Sequence, residues 1–273
     1  MKSFGRWLLW VSLAGVGLQL FFLARIVLML VIAPESTAFM RSEAWRIASA
    51  SVTQSDASWR WRQEWVPFEK ISPNLKRAVM ASEDAGFTTH GGVDWDAIQS
   101  AWAKNEKRQE IADKVAARKA ERDAQLAAKR AKANKPPVVA SDAPVATTKA
   151  PKIVGGSTIS QQLAKNLLLS GERNLLRKGQ ELVLTLMLEA VLSKQRILEI
   201  YLNSVEWGEG VFGAEAAAQR YFKKSANQLS AGEAARLAVM LPSPKFFETR
   251  PGSAYLSRRA SVITARMGDV DPP

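Results

Sequence analysis

The chain has 273 residues, 38 Lys and Arg against 26 Asp and Glu, one His and no Cys. Without Cys it can have no disulfide framework, thiolate nucleophile or Cys-ligated zinc site. Because His90 is the only His, a metal site with two His ligands is excluded, and a Ser-His-Asp triad could form only around this residue. The length allows one sizeable core with appendages.

The positive charge is concentrated in one stretch. The formal net charge is +12 at pH 7, and residues 103–152, with thirteen Lys or Arg against six Asp or Glu, carry seven of these charges. A basic chain favours an acidic partner such as a nucleic acid, an anionic membrane or a phosphorylated substrate. Because the rest of the chain is only mildly basic, the net charge alone indicates little about function.

The N-terminal segment reads as a membrane anchor. Residues 7–32 form an apolar run in which Gln19 and Arg25 are the strongly polar side chains, and about 20 apolar residues suffice for a helix to cross the hydrocarbon core. Basic residues precede the run, so the positive-inside rule predicts a cytoplasmic N-terminus. A cleaved signal peptide is the main alternative, but its apolar region is usually only about 7–15 residues long. We predict that residues 1–33 comprise the cytoplasmic N-terminus and an uncleaved transmembrane anchor.

The remainder, residues 34–273, is predicted to be one mainly α-helical domain. Apolar residues recur at helical spacing on both sides of the basic stretch, and no segment alternates as a strand would. Residues 103–133 have strong helix propensity but few large apolar side chains, and residues 135–151 have the composition of a linker. We interpret residues 103–152 as a basic helical and linker insert, and its lack of interleaved aromatic residues disfavours nucleic-acid binding.

Four polar clusters interrupt the helical pattern, the first of them at residues 83–94. An apolar run leads into Glu83, so this carboxylate should lie at the end of a buried helix. Partial desolvation there would raise its pKa, as a general acid or base requires. The alternative is structural: a helix C-terminus followed by a glycine-rich turn, with Asp84 and His90 as local caps.

The second cluster, residues 155–166, places two glycines and then Ser157 and Thr158 at a helix start. Free backbone N–H groups at such a start form a natural anion site. The polar side chains that follow are Gln161, Gln162 and Lys165. Their presence makes a phosphate or sugar site more credible. An ordinary N-cap is the structural alternative.

The third cluster is cationic. Arg173, Arg177 and Lys178 precede Glu181 at what reads as the start of a helix. Cations there oppose the helix dipole unless an anion offsets them, which suggests an anionic ligand. A solvated charge cluster is the alternative.

The fourth cluster, residues 194–213, reads as structural. Its apolar spacing indicates a buried helix and its glycines a tight turn. Glu199 and Asn203 are expected to satisfy buried backbone groups or cations.

Taken in order, the four clusters closely resemble the peptidoglycan glycosyltransferases, and the short chain resembles their monofunctional, membrane-anchored type. The matching segments are 81–94, 155–167, 177–181 and 194–203, with Leu-Pro-Ser-Pro at 241–244 and two arginines at 258–259. The resemblance implies a lysozyme-like helical domain with one N-terminal transmembrane helix. It also implies polymerisation of lipid II during bacterial cell wall synthesis, outside the cytoplasmic membrane.

Residue roles follow from the same resemblance. Glu83 would deprotonate the acceptor 4-hydroxyl as it attacks the donor C1 with inversion, which releases undecaprenyl diphosphate. Glu181, the second catalytic residue, would orient the cations and the diphosphate. The residues implied to bind substrate are Asp84, Ser157, Thr158, Gln161, Gln162, Lys165, Arg173 and Lys178.

Partners and location are implied in the same way. We expect no required cofactor and no protein metal site, with Mg²⁺ or Mn²⁺ as an optional ion at the diphosphate. The expected partners are lipid II, undecaprenyl-diphosphate-linked glycan, the membrane, and other cell-wall synthesis and division proteins, with no nucleic acid. The protein would cross the bacterial inner membrane once, with its catalytic domain in the periplasm.

Two other classes of function stay open at this stage. A lytic transglycosylase or muramidase of similar fold would use its Glu as an acid on finished glycan, and would need neither the cationic cluster nor the anchor. A non-enzymatic membrane-tethered scaffold would depend on the basic insert and not on Glu83. The sequence departs from the expected family pattern at Ala85-Gly86 and in the length of the insert.

Overall fold

The computed structural model of the protein describes residues 2–53, 60–132, 156–169 and 175–273. Over these ranges it contains eleven α-helices and three short β-strands, which confirms the prediction of a mainly α fold. The helices are α1 (Lys2–Leu28), α2 (Ala38–Thr53), α3 (Pro73–Glu83), α4 (Trp95–Lys132), α5 (Ile159–Leu168), α6 (Leu175–Val191), α7 (Lys194–Ser204), α8 (Ala214–Phe222), α9 (Ala231–Met240), α10 (Pro244–Glu248) and α11 (Ala254–Arg266). The strands are β1 (Arg62–Gln63), β2 (Glu206–Gly208) and β3 (Val211–Phe212).

The described residues form two compact units, one from residues 1–93 and 157–273 and the other from 94–156. In the first unit α9 packs against α3 and α11, and α5 packs against α6 and α7. The buried apolar side chains of these helices form its core. The site helices α3, α5, α6 and α7 therefore share one core.

The second unit consists, among the described residues, mainly of α4, a helix of 38 residues. Its large apolar side chains Ile111, Val115 and Leu126 are about half-exposed, as expected for a solvated helix. Of the helix predicted over 103–133, residues 103–132 are helical in α4, which already begins at Trp95. The linker predicted for 135–151 lies outside the described residues.

Helix α1 is the one helix in the described ranges that is long and apolar enough to cross a membrane, with a mean hydropathy of 2.0 over Ser3–Leu28. Most of its side chains are exposed, unlike those of a core helix. It is therefore compatible with the predicted single-pass anchor. Near its C-terminal end, however, Ile26 and Met29 are buried in the core of the first unit.

The described residues also include three short strands, which the search for alternating segments did not identify. β3 lies in the middle of the small sheet, parallel to β1 and antiparallel to β2. Each strand is only two or three residues long. Segments this short cannot display the alternation of apolar and polar residues by which a strand is recognised in a sequence.

Candidate active site

Glu83 is the last residue of α3, where the predicted buried helix ends. Ser72 caps the helix start by accepting a hydrogen bond from the Asn74 N–H, and Pro73 occupies the first turn. The apolar residues Ala78 to Ala81 are buried immediately before Glu83. The Glu83 side chain is partly buried, so the carboxylate lies at the edge of the core, where α3 ends.

Two side chains donate hydrogen bonds to the Glu83 carboxylate. The Gln162 Nε2 lies 3.1 Å from one oxygen, and the Ser82 hydroxyl lies 3.4 Å from the other. The Tyr201 hydroxyl donates to the Oε1 of the same Gln162 amide at 3.0 Å. With Oε1 occupied, the amide presents its N–H₂ group to Glu83. This arrangement suits an ionised carboxylate, which can only accept hydrogen bonds.

Burial raises the pKa of Glu83 above its usual range, and the neighbouring Asp84 charge raises it further. The hydrogen bonds from Gln162 and Ser82 act in the opposite direction and lower this pKa. The net shift is upward, as predicted from the position of Glu83 after an apolar run. A partly desolvated carboxylate with a raised pKa is a stronger base than an exposed one and can accept a proton during a reaction.

Asp84 ties the end of α3 to the start of α5. One carboxylate oxygen accepts the Ile159 N–H at 2.9 Å, and the other lies 2.9 Å from His90 Nε2. These contacts fit the alternative in which Asp84 and His90 are local structural groups. Because both oxygens of Asp84 are engaged, its role in substrate binding stays a prediction.

Thr158 caps α5 in the way that the N-cap alternative predicts. Its hydroxyl accepts the Gln161 N–H at 3.2 Å, and the Gln161 side chain accepts the Thr158 N–H at 3.1 Å, which completes a capping box. The Thr158 hydroxyl also donates to the Gly92 carbonyl at 2.6 Å. Both side chains are buried, whereas Ser157 is exposed. Contacts of these three residues with substrate remain predictions.

A second charged cluster lies in the first turns of α6. The buried Glu181 carboxylate accepts a hydrogen bond from Lys178 Nζ at 2.5 Å and from Arg177 at 3.4 Å. The Lys178 side chain is 56% exposed, so its ammonium group can also reach a ligand. Two of the three predicted cations, Arg177 and Lys178, thus pair with Glu181.

The remaining predicted cations are Lys165 and Arg173. Lys165 is exposed on α5, the helix that packs against α6. Arg173 lies outside the described residues. The structure thus brings together Glu83 with Gln162, and Glu181 with Lys178, on helices of one core.

Two residues of the fourth cluster, Glu199 and Asn203, make the structural contacts that were predicted for them. The Asn203 amide accepts the Val66 N–H at 2.9 Å and donates to the Val66 carbonyl at 2.9 Å. Glu199 accepts from Arg196 at 2.7 Å and from the Phe68 N–H at 3.2 Å. These bonds hold the segment before α3 against α7.

Tyr201 is the residue that the sequence analysis did not assign to the site. It lies in an apolar helical stripe and is 1% exposed. A buried Tyr usually has a hydrogen-bond partner for its hydroxyl, and this was the available signal. Its partner, Gln162, is 39 positions away in sequence, so local spacing could not identify it.

Comparison with known proteins agrees with this architecture. A family model described as Transglycosylase matches residues 50–113 and 138–268. The chain is 46% identical over 276 residues to the biosynthetic peptidoglycan transglycosylase of Burkholderia thailandensis, which covers 100% of this chain and 90% of the relative. The Burkholderia orbicola protein of the same name is 46% identical over 99% of this chain and 94% of its own. The one from Paraburkholderia xenovorans is 43% identical over 98% and 94%.

These matches extend over nearly the whole chain and include the helices that carry Glu83, Gln162 and Glu181. The chain therefore belongs to the transglycosylase family.

Proposed function

We propose that this chain is a membrane-anchored peptidoglycan glycosyltransferase that polymerises lipid II into glycan strands. The observation that carries the proposal is the Glu83 carboxylate, partly buried at the end of α3 and held as an acceptor by the Gln162 amide. The names and near full-length similarity of the relatives support the same substrate class.

In the proposed step, Glu83 takes the proton of the lipid II 4-hydroxyl while that oxygen bonds to C1 of the growing glycan. The bond between C1 and the diphosphate oxygen breaks with inversion, and undecaprenyl diphosphate leaves with the electron pair. Because diphosphate is a stable anion, a protonated acid is not needed as it is for an ordinary glycoside. This separates the proposal from a muramidase, in which the Glu would have to begin protonated.

The charge of the departing diphosphate is stabilised by cations. Lys178 is well placed for this role because it is exposed and oriented by the buried Glu181. Lys165 on the adjacent α5, together with Arg173, completes the proposed set. Positioned cations that meet charge as it develops are usually a large contribution to catalysis.

We further propose that the reaction needs no resident metal ion. Mg²⁺ prefers several oxygen ligands and commonly binds substrate phosphates. A divalent cation would therefore bind through the substrate diphosphate.

We place the protein in the bacterial inner membrane, with a cytoplasmic N-terminus and a periplasmic catalytic domain. The apolar α1 and the basic residues before its apolar run support this orientation. Lipid II presents its sugars on the outer face of that membrane.

The decisive experiment incubates the purified full-length protein with labelled lipid II and separates the products by length. We expect long strands from the wild type and at least about 10²-fold slower turnover from Glu83→Gln, which removes the base. Lipid II binding should largely persist, because the base acts mainly in the transition state.

Glu106→Gln on the exposed part of α4 is the matched control and should polymerise like the wild type. Strand formation at the normal rate by a folded Glu83→Gln protein would contradict the assignment. Cleavage of finished glycan without polymerisation would favour the lytic alternative.

A further inference from the structure

The membrane helix and a site helix are joined by a reciprocal pair of amides. Gln19 Nε2 donates to the Oε1 of Gln180 at 2.8 Å, and Gln180 Nε2 donates to the Oε1 of Gln19 at 3.1 Å. Gln19 lies within α1, and Gln180 lies in α6 directly before Glu181. The two residues are 161 positions apart, so the pair is a tertiary contact between anchor and catalytic domain.

The position of Gln19 within the membrane helix explains why its side chain needs a hydrogen-bond partner. Gln19 precedes Arg25 by six residues, which places it about 9 Å along the helix axis toward the interior of the anchor. A polar side chain in a membrane helix needs a partner wherever water is scarce, because a lost hydrogen bond is then not replaced. The Gln180 amide satisfies one donor and the acceptor of Gln19 at once.

A second set of contacts fixes the end of the same helix. Ile26 and Met29 are 0% and 4% exposed within the catalytic core. The Arg196 guanidinium on α7 donates to the Met29 carbonyl at 2.8 Å. The anchor therefore contacts the domain at two levels. One is the Gln19–Gln180 pair within the span, and the other is formed by Ile26 and Met29 near the end of the helix.

Helix α6 itself carries apolar side chains that the protein leaves uncovered. Leu176, Val183 and Leu186 are exposed by 87%, 40% and 50%. Their spacing of seven and then three residues places them on one side of the helix. A helix that pairs with the anchor and presents such a side is suited to lie along lipid acyl chains.

We infer that the Gln19–Gln180 pair makes the membrane helix a positioning element of the active site. It fixes the height and rotation of α6 against α1 and so holds Lys178 and Glu181 at the level where a lipid-linked diphosphate emerges from the bilayer. Gln19 and Gln180 are positioning residues that act through their neighbours. The inference deepens the proposed function and rests on it for the identity of the ligand.

The first test measures proximity in native-like membranes. The chain has no Cys, so a protein with Gln19→Cys and Gln180→Cys carries one reactive pair. A short bis-methanethiosulfonate reagent is preferred to direct oxidation, because two facing Gln side chains separate the backbones more than a disulfide usually allows. We expect rapid intramolecular cross-linking in proteoliposomes. Phe21→Cys with Gln180→Cys is the control and should react poorly, since Phe21 lies on the opposite side of α1.

The second test measures how loss of the Gln19–Gln180 pair changes the kinetics with lipid II. Gln19→Leu and Gln180→Leu each leave one amide unpaired, and we expect the KM for lipid II to rise about 3- to 10-fold with a small change in kcat. The double variant should be no worse than either single variant, because the two residues act as a unit. Gln19→Asn, which keeps an amide, should recover part of the loss. An unchanged melting temperature would separate this effect from instability.

The two arms distinguish this inference from the proposed function. Absence of cross-linking in a wild-type-like protein, or a normal KM in Gln19→Leu, would overturn the positioning role while leaving polymerisation intact. If the wild type makes no glycan, the proposed function fails, and the cross-linking arm still decides whether the anchor is docked on α6.

Discussion

The Tyr201 hydroxyl donates to the Gln162 Oε1 at 3.0 Å and thereby determines which end of that amide faces Glu83. Tyr201 is buried on α7, Gln162 is on α5, and Glu83 ends α3. Three helices of one core therefore cooperate to present an acceptor carboxylate at its edge. Because the Gln162 hydrogen bond lowers the pKa of Glu83 against the upward effect of burial, this relay tunes the proposed base as well as orienting it.

Tyr201→Phe should weaken catalysis although Glu83 and Gln162 are both kept. With no hydroxyl to hold Oε1, Gln162 can rotate, the pKa of Glu83 should rise, and the ionised base should disappear at a higher pH. We expect turnover to fall about 3- to 10-fold, the scale of one net hydrogen bond. The acidic limb of the kcat/KM profile should move to higher pH. Tyr255→Phe, at a more exposed position, is the control. A fall in rate with no movement of the limb would argue against tuning by the relay.

The sequence could predict the parts of this site that depend on local pattern. Glu83 follows an apolar helical run, and its raised pKa follows from that position. The capping box of Thr158 and Gln161 likewise depends on residues three positions apart. The Tyr201–Gln162 and Gln19–Gln180 contacts join residues 39 and 161 positions apart. Such pairs are determined by how helices pack, and no spacing within one helix encodes them.

Lys178→Ala should weaken use of the lipid-linked donor. It removes an exposed cation and leaves the buried Glu181 paired with Arg177. Hydrogen bonds to charged groups contribute about 1.5–3 kcal/mol, so a loss of at least about 10-fold in kcat/KM for lipid II is expected. Competition by a short-chain polyprenyl diphosphate should weaken in parallel. Lys107→Ala on the exposed α4 is the matched control. Unchanged inhibition by the diphosphate would show that Lys178 does not contact it.

Glu206→Gln should change how stability depends on pH. Glu206 lies with Glu43 and Glu209 around the cations Lys245 and Arg46, so three carboxylates face two positive charges. Burial raises the pKa of Glu206, Lys245 lowers it, and the charges of Glu43 and Glu209 raise it, so that the net effect is a rise from 4.5 to about 7. The folded state therefore binds more protons than the unfolded state between these values, and the contribution of Glu206 to stability falls as pH rises through this window.

The measurement compares melting temperatures of wild type and Glu206→Gln in detergent from pH 5 to 8. The variant keeps a neutral side chain at all pH values, so its advantage should be small at pH 5 and largest at pH 8. Taking the difference between the two proteins cancels the titration of groups that they share. Parallel curves would mean that Glu206 titrates near its ordinary pKa.

Replacing residues 114–137 with a short Gly/Ser linker should leave the catalytic unit folded. The family model matches residues 50–113 and 138–268 and omits this stretch. The described side chains of α4 beyond residue 113 are exposed. Loop-closure entropy changes only slowly with loop length, so shortening the connection has a small effect on stability. We expect an unchanged melting temperature and most of the polymerase activity in detergent.

The same variant should differ from the wild type on anionic membranes. Residues 114–137 contain eight Lys or Arg and two Asp or Glu, so the replacement removes six net positive charges. A basic residue near an anionic surface contributes about 1 kcal/mol. Activity in liposomes with anionic lipid should therefore decrease on replacement, and the difference should fade as salt screens the charges. Equal loss of activity in neutral and anionic liposomes, together with a lower melting temperature, would show that α4 supports the fold of the catalytic unit.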